Sequence, residues 1–168
     1  MDQPATSLQE HPPSRPPPSE RVARMATPKE LLGLQEATLE GIYGQGYRLY
    51  NTGKYREAAQ LFRLLIMLNS HEAKYVMGLA ACFHMMNSLS CAIETYLICE
   101  QIEPKNPLPY FHAADCYLRT DQPLLALRSL EQAIVCAQGH KELQLMRDRA
   151  EMTVNALKEQ LTKKIKNK

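Results

Sequence analysis

The chain has no apolar run that approaches the roughly 20 residues a helix needs to cross a bilayer, so no membrane insertion is expected. It has no CxxC pair, and its cysteines (Cys82, Cys91, Cys99, Cys116 and Cys136) are odd in number. That pattern excludes a disulfide framework and the common zinc sites, and it predicts reduced core thiols. No charge of one sign dominates: Lys and Arg number 20, Asp and Glu 18, and the formal net charge is +2. A nucleic-acid partner would need a basic face, so none is expected. The N-terminus is polar and proline-rich and lacks the apolar stretch of a secretory signal, which makes the cytoplasm the expected location. Gly-rich phosphate loops and paired carboxylates are also missing, and Glu94 and Asp115 stand alone. Catalysis, a metal and a cofactor are therefore not expected. His84 lies two residues from Cys82 and His112 four from Cys116. Either pair has the makings of a nucleophile site, but both fall inside a repeat pattern that already explains them.

That pattern is the main thing the sequence holds. Hydrophobic residues make up 45% of 168 residues, enough for one ordinary core. Residues 1–26 are set apart by Pro12, Pro13, Pro16, Pro17 and Pro18 and read as a disordered tail. The PxxP spacing from Pro13 to Pro16 is too short and common to mark a partner by itself. Thr27-Pro28-Lys29-Glu30 then forms a capping box that opens a short N-terminal helix over 27–38, weakened by Gly33 and Gly41.

Sliding the sequence by 34 residues superposes 39–72, 73–106 and 107–140. Small residues recur as Gly46, Ala80 and Ala114, and again as Ala58, Ala92 and Ala126. Large apolar residues recur as Phe62, Tyr96 and Leu130. This small–large order at that period is the mark of the tetratricopeptide repeat, two helices per unit. Gly53, Asn87 and Asp121 also recur, where a tight interhelical turn needs a left-handed residue. Residues 141–168 read as a capping helix with an apolar stripe (Leu143, Met146, Ala150, Val154, Leu157) and a lysine-rich end. The fold class predicted is an all-α solenoid of three repeats between an N-terminal helix and a C-terminal cap.

Tyr43, Tyr47 and Tyr50 share one stripe of the first repeat helix, about 100° from the packing stripe of Ile42, Gly46 and Leu49. Such a stripe faces the concave side of a solenoid. Steps of 34 add Met77, Ala81 and His84, then Phe111 and Asp115, with His112 beside them. These nine residues are the candidate partner-binding groove. Tyrosine supplies contact area at low entropy cost, and an exposed patch of this kind marks a binding site.

The runs GIYGQGYRLYNTGKYREAAQLF, GLAACFHMM and PYFHAADCYL resemble the class II chaperones of bacterial type III secretion, the LcrH/SycD-like chaperones of translocator proteins, over about residues 31–160. The resemblance implies a cytoplasmic chaperone that hydrolyses no nucleotide and binds secreted hydrophobic translocator proteins before export. It implies an extended cargo segment in the concave groove, with the three tyrosines at its aromatic positions. It also implies a homodimer through about residues 28–40. From the residues alone, a general repeat scaffold or regulatory adaptor for another cytosolic protein is the alternative.

Overall fold

A computed structural model describes residues 27–166; the tail expected over 1–26 lies outside them. The described residues form α1 (Pro28–Leu31), α2 (Glu36–Asn51), α3 (Tyr55–Leu68), α4 (Ala73–Met85), α5 (Leu89–Ile102), α6 (Pro107–Arg119), α7 (Pro123–Cys136), a 3₁₀ turn (Lys141–Leu143) and α8 (Gln144–Lys166). Three helix hairpins, α2–α3, α4–α5 and α6–α7, stack in chain order, and α8 packs on α7. This is the all-α repeat solenoid predicted from the 34-residue period.

Local chemistry sets the corners. Gly53 (φ +77°), Asn87 (φ +59°) and Asp121 (φ +56°) each adopt the left-handed conformation between the two helices of a repeat. A left-handed L-residue costs roughly 1–2 kcal/mol, least for Asn and Asp, whose side chains bond locally. Pro107 opens α6, and the Asn106 side chain accepts from the Leu108 amide at 3.0 Å.

The N-terminal helix expected over 27–38 is a single turn. Thr27 and Glu30 do form the capping box. Gly33 then takes φ +63° and stops the turn, and the chain restarts as α2 at Glu36. Gly41, expected to weaken a helix, lies inside α2. The thiols also divide: Cys82, Cys99 and Cys116 are buried, but Cys91 is exposed and Cys136 half-buried, so core burial holds for three of the five.

Small residues let the helices meet. Ala58, Ala80, Ala92, Ala114 and Ala126 are fully buried. Around Leu39, Phe62, Leu65 and Tyr75 a first cluster closes repeat one; a second joins Tyr96, Ala114 and Leu130 to Val154 and Leu157 of the cap. Gly78 has no room for a side chain, since a Cβ there would lie 2.6 Å from the Phe62 ring.

Candidate functional site

The candidate residues lie on α2, α4 and α6, the first helices of the three repeats. On α2, Tyr43 and Tyr50 are half-buried and Tyr47 is 54% exposed. Tyr43 meets Phe62 edge-on at 5.9 Å and Tyr75 at 5.8 Å, while Tyr50 meets Tyr55 at 5.4 Å. No ring contact holds Tyr47 among the described residues.

These three tyrosines, with Met77 and Ala81 of α4, border a cavity of about 310 Å³. Its floor is Phe62, Ala73, Gly78 and Cys99. Lys74, Glu103 and Asn106 lie on its rim, and the buried Pro109 completes the lining. The sequence reading missed these floor and rim residues. Phe62 was legible as a repeat position but not as a floor; Glu103 and Asn106 sit in the α5–α6 connection, which the helical period does not reach. Lys74 pairs with Glu40 one repeat away and lies 5.3 Å over the Tyr43 ring. The Glu40 hydrogen bond raises its pKa above the ordinary lysine value.

His84, Phe111, His112 and Asp115 lie outside this cavity. His84 Nε2 and Asp115 Oδ2 are 2.8 Å apart, and His84 Nδ1 is 3.4 Å from the Tyr96 hydroxyl. The His112 ring stacks on Tyr96, with centroids 5.8 Å apart and planes 19° apart. Phe111 meets His112 edge-on at 5.7 Å and lies under the Arg149 guanidinium at 5.9 Å. Asp115 is exposed; His84, His112 and Phe111 are half-buried. The nine sequence candidates thus divide into a cavity group on repeats one and two and a polar, aromatic cluster between repeats two and three.

Burial, and then the neighbouring His84, lowers the His112 pKa below 6.5, which keeps the ring neutral. In the window below 6.5 the unfolded chain binds the proton and the folded chain does not, so stability falls as pH falls through that window. In thermal melts between pH 7.5 and 5, the stability of this chain relative to His112→Gln should fall as the pH falls. Glu100 is pushed up to about 7 by burial and acts in the opposite sense between 4.5 and 7. The difference between the two chains therefore isolates His112.

Burial pushes the Cys82 and Cys116 thiols up to about 11, away from the thiolate a nucleophile needs. Among the described residues no group of three or more His, Cys, Asp or Glu is placed to hold a metal, and no helix is long and apolar enough to cross a membrane.

A tetratricopeptide-repeat family model matches residues 39–70. The chain is 34% identical over 82 residues to low calcium response locus protein H of Yersinia pestis, 49% of each chain. It thus spans about half the length of the first curated relatives it matches. Across the solved structures the coverage is greater. SycD of Yersinia enterocolitica, described as a type III secretion translocator chaperone, superposes with a TM-score of 0.74 at 27% identity, covering 79% of this chain and 98% of SycD. PcrH of Pseudomonas aeruginosa, solved with the chaperone binding region of PopB, gives a TM-score of 0.70 at 30% identity over 72% of this chain and 98% of PcrH. The chain belongs to the LcrH/SycD-like family of type III secretion chaperones. SycD and PcrH share its helical solenoid across nearly their full length.

Proposed function

We propose that this chain is a cytoplasmic chaperone that binds an extended segment of a hydrophobic translocator protein in its concave groove, keeping that cargo soluble and competent for export. The observation that carries the reading is the cavity between α2 and α4, bordered by an aromatic residue that no ring contact holds among the described residues: Tyr47, 54% exposed beside about 310 Å³ of space. A half-polar aromatic at the mouth of an apolar cavity suits a partner that offers both a side chain and a backbone amide. PcrH, solved with the chaperone binding regions of PopD and PopB, supports peptide binding by this architecture. So does SycD, solved with a peptide of the translocator YopD.

Release of a membrane-active segment in the cytoplasm would lead to aggregation, because its apolar surface would be open to water. Enclosing one extended stretch suppresses that without any chemical step, which fits a site without a reactive thiol. Leu31 (75% exposed) at the end of α1 and Leu32 (66%) just after it supply an apolar surface, and a second copy of the chain is the occupant proposed there.

The test is co-expression of the full chain with the products of its neighbouring genes, followed by identification of what co-purifies. An exported hydrophobic protein in stoichiometric complex is the expected result. Retention of a different cytosolic component, with no exported protein, would assign the chain to the scaffold or adaptor class instead.

A further inference from the structure

The cavity on repeats one and two is aromatic on one side, with Tyr43, Tyr47 and Tyr50 in a row along α2. Rows of aromatic rings are the surfaces that receive polyproline II segments, since a proline ring stacks flat on an aromatic face and the segment is pre-organised. One stretch of this chain has that composition. Residues 12–18 read Pro-Pro-Ser-Arg-Pro-Pro-Pro, five prolines in seven positions. The geometry points to this segment of the same chain as the occupant of the tyrosine-lined cavity when no cargo is bound.

Reach allows it. Eight residues, 19–26, separate Pro18 from Thr27. They span up to about 28 Å at roughly 3.5 Å each. Thr27 caps α1, and Lys29 of α1 is paired with Glu36, the first residue of α2, so the described chain begins beside the start of α2. Tyr47 is eleven residues further along α2, about 16 Å at 1.5 Å per residue.

Charge is complementary as well. Arg15 lies in the middle of the segment, and Glu103 lies on the cavity rim, exposed. The hydrogen bond that Glu103 makes is with the Asn106 amide at 2.9 Å, and no cation pairs with it among the described residues. The stretch 9–21 contains no Leu, Ile, Val, Phe or Met. It therefore covers the tyrosines without filling the apolar floor, and a cargo segment with a large apolar side chain displaces it. Tethering places the segment at an effective concentration in the millimolar range, so weak intrinsic docking is enough to occupy about half of the free groove. The competition with cargo rests on the function proposed above; the docking itself does not.

Two measurements on the full chain decide it. A photo-reactive benzoylphenylalanine in place of Pro17 should cross-link within its own chain to α2 or α4 near Tyr47 or Met77, with a yield unchanged by dilution. Cross-links elsewhere, or none, would overturn the proposal, as would links that vanish on dilution, which assign the segment to a second copy. In the second measurement, Pro13→Ala, Pro16→Ala and Pro17→Ala are combined, and a fluorescent translocator-derived peptide is titrated in. The altered chain should bind about twofold or more tightly than the natural one, because removing half-occupancy of a site doubles its apparent affinity. Equal affinity overturns the competition. A peptide that binds neither chain refutes the proposed function, and the cross-link then decides the docking alone.

Discussion

Tyr47→Ala is expected to leave the unfolding midpoint of the chain nearly unchanged while weakening an extended translocator peptide by about 5- to 150-fold. The two halves of that expectation have separate causes. Tyr47 is 54% exposed and makes no ring contact among the described residues, so truncating it removes little from the fold; surface changes of this kind stay within about 0.5 kcal/mol. Exposed aromatic anchors carry a disproportionate share of binding, about 1–3 kcal/mol each when truncated, which sets the affinity range. Tyr43 is the instructive contrast. It packs on Phe62 and Tyr75, so Tyr43→Ala confounds binding with folding. Titration calorimetry and a thermal melt on the same preparation make the comparison. Undiminished peptide binding by a folded Tyr47→Ala chain would place the site elsewhere.

Tyr96→Ala should have the largest effect on the fold, lowering stability by about 3–5 kcal/mol, the range for emptying a buried aromatic site. Tyr96 is 1% exposed, and its ring lies between His84 of α4 and His112 of α6. Removing it opens a void where three helices from two repeats meet, among the fully buried Ala80, Ala92, Ala113 and Ala114 of the same cluster. At about 2–4 °C per kcal/mol the melting temperature should fall by roughly 10 °C. Tyr96→Phe keeps the ring and loses only the 3.4 Å contact with His84, so about 0.5–1.5 kcal/mol is expected from it. A loss below about 1 kcal/mol for Tyr96→Ala would mean that the ring does not join the repeats as described.

The solenoid was legible because its signal is periodic. A small residue at 46, 80 and 114 and a turn residue at 53, 87 and 121 each repeat the same physical requirement, and Asn87 and Asp121 take the left-handed geometry that their residue types allow. The N-terminal region was less legible because it has no copy to compare with. A capping box promises a helix, but Gly33 three residues beyond Glu30 ends it after one turn. The candidate site was legible only as a face. Periodicity assigns Tyr43, Tyr47 and Tyr50 to one stripe, yet it treats 111 and 115 as equivalents of 77 and 81. The structure distinguishes them through residues off the stripe: Arg149 of α8 lies over Phe111, and Tyr96 of α5 holds His112. Glu103 and Asn106 reach the cavity rim from a connection whose path no helical period encodes.

The two ends of the stack are closed unequally, and this has a thermodynamic consequence. Among the described residues, repeat three is sealed by a helix of 23 residues that buries Ala150, Val154 and Leu157, whereas repeat one is met by a single turn of four residues. In a linear array each unit is held only by its neighbours, so local opening starts where the outer neighbour is smallest. Backbone amides of α2 and α3 should therefore exchange with solvent sooner than those of α6 and α7. The tyrosine row lies on this least secured unit. Any ligand held there adds RT ln(1 + [L]/Kd) to the segment with the lowest opening free energy. Loading the groove then tightens the chaperone as a whole, and a bare groove leaves one end of the molecule prone to fray.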